Sequence, residues 1–253
     1  MKLSTLTIAF IALTCFSCGN KKENKKNTTE SNVVIEEKKI TIEGLSYELL
    51  FDGIRKEGDY DEVVGTYTEN RLGNKKKALS MDGLSEYVKI ENHDNINPKK
   101  GLTLSIWYKP ISFKGSGNDP IIVKPFSGSG APFAQYHLNV TGNEYIKSKG
   151  VFKFGLSING KYSSIKTAVN TWTPDNWYNI TATYDGLVMK LYVNGVLKNS
   201  RAIEGQLDVY NTDLFIGKNE VKPNKFINTP GTYDNFRIYN RALTKEEVNM
   251  LNE

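Results

Sequence analysis

The clearest hydrophobic pattern in the chain runs from residue 177 to residue 197. Apolar and polar side chains alternate there with a period of two, which is typical of a strand with one buried face. One parity holds Tyr178, Ile180, Ala182 and Tyr184. Asp185-Gly186 and Asn194-Gly195 interrupt the alternation, and both pairs tolerate the positive φ of a tight turn. The segment therefore predicts a meander of antiparallel strands.

Similar patterns elsewhere predict an all-β domain. Further strands are expected over 40–52, 102–110, 136–141, 151–159, 163–169, 207–217 and 233–239, with two short ones within 79–90. Residues 53–78 are expected to form an irregular loop, and 112–135 a long loop around a short strand at 121–123. One helix is predicted at the end, because Thr244 and Glu247 have the spacing of a capping box.

Four motifs in the same order resemble a known family. They are ALSMDG at 78–83, LSIWYKP at 104–110, the YDG and LYVNG turns that follow Trp177, and YDNFRIYNRAL at 233–243. Together they resemble laminin G-like domains of the concanavalin A-like lectin/glucanase superfamily over roughly residues 45–251. The resemblance implies a jelly-roll β-sandwich of two antiparallel sheets with a short C-terminal helix. It does not settle function, because this fold hosts lectins, enzymes and adhesion modules.

The N-terminus resembles a bacterial lipoprotein signal. Lys2 precedes an apolar run over residues 3–16, which is short for a bilayer span and fits the core of a secretory signal. Cys18 is expected to be acylated and to become the first mature residue, with Cys15 as the rival site and an ordinary cleaved signal as the alternative. Residues 1–18 are thus a predicted signal peptide, and 40–253 the predicted domain.

The polar segment between them contains too few apolar residues to fold by itself. We therefore expect residues 19–39 to be a flexible tether that holds the domain off a membrane. The expected location is the cell envelope, lipid-anchored to the outer membrane, either periplasmic or surface-exposed.

Composition excludes several functions. The net charge of +5 is spread thinly along the chain, so nucleic acid is not an expected partner. Both cysteines, Cys15 and Cys18, precede the domain, which therefore has no disulfide or cysteine-based metal site. His93 and His137 lie far apart, and the common zinc, nucleophile-elbow and phosphate-loop motifs are absent from the sequence.

An acidic stretch at residues 57–62 superficially resembles the alternating carboxylates of related glucanases. In those enzymes the acids lie on a central strand between apolar residues, whereas the neighbours here are Gly58 and Tyr60. A solvated acidic loop is the better interpretation, so we expect no catalytic residue. A glycoside hydrolase or lyase of the same fold stays an alternative; it would need two facing carboxylates on its strands.

The resemblance also implies a structural Ca²⁺. Asp234 shares the parity of Phe236 and Ile238, so its carboxylate is expected to point inward and to need strong partners. In related domains the matching aspartate helps to hold Ca²⁺ with oxygen atoms from early strands, where Asp52 and Asp82 lie. Oxygen-only ligation suits Ca²⁺. The alternative is a hydrogen-bonded aspartate at the end of a strand.

Carbohydrate binding is the expected function, because the domain lacks a reaction signature and binding is then the default. Sugars present an apolar C–H face to aromatic rings, so exposed aromatic side chains are the candidates for the site. Trp172 lies among polar and turn residues outside the alternating pattern and is the first candidate for an exposed platform. Phe133 and Tyr136 border the 112–135 loop and are further candidates. A glycan or polysaccharide is thus the expected partner of a non-catalytic lectin-like domain. A protein-binding or scaffolding lipoprotein is the second alternative, and its protein partner is unknown.

Overall fold

Two antiparallel sheets and a terminal helix make up the part of the chain that the computed structural model describes, namely residues 42–53, 61–112, 118–128, 130–141, 150–222 and 225–253. The predicted signal, the tether and Cys18 lie outside these residues. Within the described ranges, no helix has the length and hydrophobicity needed to cross a membrane.

The first sheet contains the predicted meander. Its spatial order is β13 (Val196–Ala202), β12 (Val188–Val193), β11 (Tyr178–Tyr184), β6 (Leu102–Pro110), β17 (Gly231–Tyr239), β4 (Ala78–Met81) and β3 (Thr66–Thr68), and β1 (Leu45–Leu49) also pairs with β17. Asn194 and Gly195 have φ values of 50° and 73°, as a tight hairpin turn requires. The two tight turns therefore set the register of β11, β12 and β13.

The second sheet carries the longer loops. Its order is β10 (Lys161–Lys166), β9 (Val151–Ile158), β8 (Ala134–Thr141), β7 (Asp119–Pro125), β14 (Leu214–Ile216), β5 (Tyr87–Ile90) and β2 (Asp61–Val64). A separate hairpin pairs β15 (Lys218–Lys222) with β16 (Lys225–Asn228). Asn159-Gly160 forms the predicted turn between β9 and β10, with both residues at positive φ.

The main hydrophobic core draws side chains from both sheets. Leu104 and Ile106 of β6 and Ile180 of β11 come from the first sheet, while Leu138 of β8 and Phe154 of β9 come from the second. All five are fully buried. The alternation thus predicted the all-β class correctly, because burial of one face per strand produces it. The jelly-roll sandwich that the resemblance implied is confirmed.

The C-terminal helix, α1 (Lys245–Met250), also agrees with the sequence. The Thr244 hydroxyl accepts the backbone N–H of Glu247, whose carboxylate in turn accepts the N–H of Thr244. Val248 and Leu251 belong to a second, smaller cluster of buried residues with Tyr239 of β17. The helix therefore packs back on the sandwich as the capping box and the apolar stripe predicted.

Three segments differ from the prediction. Residues 53–78, expected to be irregular, contain β2 and β3, and the short strand expected at 121–123 is the seven-residue β7. The segment 207–217 forms only the three-residue β14, and the β15–β16 hairpin was not predicted. These strands are short or irregular in pattern, so their pairing depends on partners distant in sequence, which alternation alone does not reveal.

Candidate functional site

One row of residues crosses the outer face of the second sheet. Ser164 of β10 pairs with Gly155 of β9, Gly155 pairs with His137 of β8, and His137 pairs with Val123 of β7. Paired residues share a face of a sheet, and their chain neighbours point the opposite way. The neighbours Leu138 and Phe154 lie in the core. The row therefore points away from the core.

A groove of about 280 Å³ opens over this row, and we call it the His137 groove. Three aromatic rings, one of them an imidazole, line it together with several amides, one ammonium group and small apolar side chains. The lining residues are Asn118, Val123, Phe133, Ala134, His137, Asn139, Lys153, Tyr162 and Asn219. Apolar walls with a few convergent polar groups are typical of small-molecule sites.

The aromatic part of the groove is a three-ring cluster. Phe133 is 60% exposed and meets Tyr162 edge to face, with 5.4 Å between ring centroids. The Tyr162 ring lies nearly parallel to the His137 imidazole at 5.8 Å. The Lys153 ammonium lies 5.4 Å from the Tyr162 ring centroid. Phe133 therefore offers an exposed aromatic surface beside a set of polar groups.

His137 is the most buried polar ring in the groove. Burial and the nearby Lys153 cation lower the pKa of His137 to about 3, and Asn139 opposes this shift. The imidazole is thus neutral at physiological pH, with one N–H donor and one acceptor nitrogen. Its Nε2 forms a 2.9 Å hydrogen bond with the Tyr162 hydroxyl. His137 and Asn139 lie close enough for a side-chain hydrogen bond to oppose the shift, but its geometry is poor, so His137 Nδ1 and Asn139 Oδ1 are buried without a well-formed hydrogen bond among the described residues.

Gly155 gives the His137 ring its position. A methyl group on Gly155 would collide with Nε2 and the neighbouring ring carbons of His137. A glycine inside a strand commonly marks such a close approach. The ring can lie across β9, within reach of Tyr162, only because β9 has no side chain at this point.

A second aromatic cavity, of about 430 Å³, lies toward the other edge of the same sheet and is lined in part by Tyr87, Phe215 and Phe226. The Lys218 ammonium lies 3.7 Å from the Tyr87 ring centroid and 4.4 Å from that of Phe226. The Lys218 cation therefore already lies against two of these rings, Tyr87 and the 44% exposed Phe226, whereas Phe133 is 60% exposed.

Of the three predicted ligand-binding residues, only Phe133 lines the groove. The prediction that Trp172 forms an exposed platform is wrong, because its side chain is 1% exposed and stacks on Phe152. Tyr136 is also 1% exposed, and its hydroxyl donates a hydrogen bond to the carbonyl of Ile96. Tyr136 precedes His137 on β8 and so points into the core, and neither ring can present a face to a ligand.

The three predicted calcium ligands have separate partners. Asp234 is fully buried and lies 3.2 Å from the Arg71 guanidinium, and Asp52 lies 3.6 Å from the Lys77 ammonium. Asp82 accepts three backbone N–H groups of the following turn, which lower the pKa of its carboxyl. Among the described residues, no three acidic, histidine or cysteine side chains converge as a metal site. These carboxylates do not form one ligand set, and Ca²⁺ binding stays a prediction.

The described lining of the His137 groove contains no carboxylate. Glycoside hydrolysis usually needs two, one as acid and one as nucleophile or base. Glu62 of the predicted acidic loop lines the second aromatic cavity instead, and Glu57 lies outside the described residues. The described groove lining thus offers groups that can bind a polar ligand.

A protein-family model described as the concanavalin A-like lectin/glucanases superfamily, in its laminin G type, matches residues 82–249. The chain belongs to this superfamily. The match covers β5 to α1 and confirms the resemblance that the four motifs indicated. No curated protein sequence matches the chain.

Solved structures similar to this superfamily member include three toxin binding domains. The binding domain of Paraclostridial Mosquitocidal Protein 1 is 18% identical with a TM-score of 0.60, and the match covers 82% of this chain and 51% of that one. The binding domain of botulinum neurotoxin serotype G is 18% identical with a TM-score of 0.61, and the match covers 82% of this chain and 50% of that one. The ligand-binding domain of botulinum neurotoxin serotype D in complex with N-acetylneuraminic acid is 19% identical with a TM-score of 0.59, and the match covers 83% of this chain and 50% of that one. The chain therefore matches about half the length of each. At these identities the likeness establishes a common fold.

Sequence reasoning missed most of the groove. It named His137 only as one of two histidines far apart in the sequence, and it did not identify Asn139, Lys153 or Tyr162. A usable signal was present, because Asn139 and Lys153 alternate with core residues on β8 and β9. Polar side chains at outward positions of adjacent long strands could have directed attention to this face.

Proposed function

We propose that this domain binds carbohydrate without catalysing a reaction, and that the His137 groove is its binding site. One observation carries the proposal: an exposed aromatic ring, Phe133, lies beside two buried polar atoms, His137 Nδ1 and Asn139 Oδ1, that form no hydrogen bond of ordinary geometry among the described residues. Buried polar groups are normally hydrogen-bonded, so such atoms in a groove suggest a ligand that supplies the missing bonds.

The chemistry of the groove suits a sugar. The C–H face of a pyranose is apolar and can pack on Phe133, while its hydroxyl groups donate and accept hydrogen bonds in several directions. His137 and Asn139 offer both donors and acceptors, and Asn118 and Asn219 line the same groove. The crystallised complex of the serotype D toxin domain with N-acetylneuraminic acid supports the proposal at the level of the fold.

The two alternatives make different demands on the site. A hydrolase or lyase of this fold needs facing acids, which the described groove lining lacks. A protein-binding lipoprotein is better served by a broad surface than by a groove of about 280 Å³ with buried polar atoms. Both observations favour glycan binding.

Replacing Phe133 with alanine should weaken glycan binding by roughly tenfold, because an aromatic contact contributes on the order of 1 kcal/mol beyond its area. The full-length chain is first screened on a glycan array, and the best glycan is then titrated by calorimetry. Leu187→Ala is the matched control, since Leu187 is 56% exposed and lies outside the groove lining. A folded Phe133→Ala variant with wild-type affinity would place the sugar elsewhere.

The proposal extends to the N-terminus. The apolar run before Cys18 and the polar segment after it support an envelope lipoprotein whose tether, residues 19–39, presents the domain at the outer membrane. A lipid anchor would keep the groove close to glycans of the envelope or of the cell surface.

Radioactive palmitate should label the wild-type protein in cells and should not label Cys18→Ser. The reason is that the acyl chains are expected on the Cys18 thiol and on the new N-terminus that cleavage creates there. Cys15→Ser is the matched control and should keep the label. Equal labelling of Cys18→Ser would move the site to Cys15, and an unlabelled wild type would remove the lipoprotein proposal.

A further inference from the structure

Two lysines face each other on the outer surface of the second sheet. Lys166 of β10 pairs directly with Lys153 of β9, which pairs in turn with Asn139 of β8. Like charges opposite each other on neighbouring strands are destabilising. Neither lysine forms an ion pair with a carboxylate among the described residues. The register thus places two lysines opposite each other on adjacent strands, and no described carboxylate forms an ion pair with either.

The lysine pair borders a third cavity, of about 400 Å³, which we call the lysine groove. Its lining residues are Asn118, Thr141, Val151, Lys153, Ser164, Ile165 and Lys166. Asn118 and Lys153 also line the His137 groove. The two grooves therefore adjoin, and Lys153 lies where they meet.

Charge distinguishes the combined grooves from the rest of this face. Their described lining contains two lysines and no aspartate or glutamate. Toward the other edge of the sheet, Lys89 is neutralised by Asp213 at 3.2 Å. A cleft lined by charges of one sign attracts ligands of the opposite sign.

The buried polar atoms of the adjoining groove are a second, independent indication of a ligand. His137 is 5% exposed and Asn139 is 8% exposed, and each has a buried atom without a well-formed hydrogen bond among the described residues. Both residues line the His137 groove, and Asn139 is opposite Lys153 in the register. Hydroxyl recognition and a positive charge therefore occur side by side.

We propose that the two grooves together bind an acidic oligosaccharide. A carboxylate or sulfate group lies between Lys153 and Lys166, and the neighbouring sugar ring packs on Phe133 beside His137 and Asn139. The anion neutralises the lysine pair and so removes the repulsion between the two like charges. This inference rests on the proposed glycan binding and adds the class of glycan.

The test uses the full-length chain on an array of uronate, sialylated and sulfated glycans, each printed beside its neutral methyl ester, desialylated or desulfated form. We expect the acidic member of a pair to bind at least about tenfold more tightly, because a charge-assisted contact exceeds a neutral one by about 1.4 kcal/mol or more. The preference should fall as salt rises, since the lysines border open grooves.

Lysine variants then assign the preference to the pair. Lys166 lines only the lysine groove, so Lys166→Met should weaken the acidic glycan about tenfold while leaving its neutral form unchanged. Lys153 also lines the His137 groove, so Lys153→Met should weaken both forms, and the acidic form about tenfold more than the neutral one. Lys153→Arg keeps the positive charge and should therefore keep the preference for the acidic glycan. Lys198→Met is the control, because Lys198 is exposed on β13 and lines neither groove.

The outcomes distinguish the inferred acidic class of glycan from the proposed glycan binding on which it rests. Equal binding of acidic and neutral glycans, still weakened by Phe133→Ala, would overturn the acidic class and leave glycan binding intact. Binding of the acidic glycan that is unchanged in both Lys153→Met and Lys166→Met would also overturn the acidic class. A folded protein that binds no glycan on the array, or that binds only vesicles of anionic lipid through the lysine pair, would overturn both.

Discussion

Replacing Trp172 with alanine is expected to lower the free energy of unfolding by about 3–5 kcal/mol, the usual loss for a large aromatic in a core. The indole is 1% exposed, belongs to the main core, and stacks on Phe152 with 6.2 Å between ring centroids. Its Nε1 donates a 3.4 Å hydrogen bond to the carbonyl of Val151. Alanine would remove both contacts and leave a cavity that the sheets cannot fill.

Thermal and urea denaturation measure this loss. For a domain of this size, the expected change corresponds to a fall in melting temperature of about 6–20 °C. Phe133→Ala is the matched aromatic control and should change the unfolding free energy by only about 0.5 kcal/mol, because Phe133 is 60% exposed. A Trp172→Ala variant that melts with the wild type would show that the indole contributes nothing to the core.

The local sequence around Trp172 explains why its burial was not predicted. Thr171 and Thr173 flank it, and no alternation marks it as inward-facing. Its position depends on contacts with β9, including Phe152 about twenty residues earlier in the chain. Periodicity reports which face of a regular strand is buried, and it gives no such information for a loop residue that returns to the core.

The fold was largely predictable because its strongest signals are local. Asn194-Gly195 and Asn159-Gly160 define hairpins between neighbouring strands, and the positive φ values at these four residues agree with that interpretation. The groove was not predictable in the same way. Lys153 and Lys166 are visibly outward on β9 and β10, but only the register of the sheet shows that they oppose each other.

Asp234 illustrates a different limit. Its parity predicted a side chain that points into the core with Phe236 and Ile238, and this is wrong. A bulge between Asp234 and Arg237 reverses the alternation, so Asp234 pairs with Trp107 and is fully buried on the opposite face of the sheet. The partner that the resemblance implied was Ca²⁺, whereas the structure places the Arg71 guanidinium beside it. Arg71 lies 163 positions earlier, in the segment 53–78 that was predicted to be irregular. Sequence alone shows that a buried carboxylate needs a positive partner, but it does not identify a distant one.

Replacing Arg71 with methionine is the second substitution with a large expected effect. Its guanidinium lies 3.2 Å from the fully buried Asp234 carboxylate and 4.5 Å from the centroid of the Trp107 ring, over which it packs. Removing one member of a buried ion pair typically costs about 3–5 kcal/mol, because the remaining charge stays in a poorly solvating environment. The contact with Trp107 adds to the loss.

A double-mutant cycle separates the contribution of the Arg71–Asp234 ion pair from that of the packing of Arg71 on Trp107. Asp234→Asn removes the charge that Arg71 opposes, so Arg71→Met should cost less in that background, by about 0.5–3 kcal/mol of interaction energy. Urea denaturation of the four proteins gives this value. Additive losses would show that Arg71 acts through Trp107 alone. The same measurements with a chelator address Ca²⁺: a wild-type protein that loses stability on chelation, with Asp234→Asn unaffected, would make this carboxylate a metal ligand as well as the partner of Arg71.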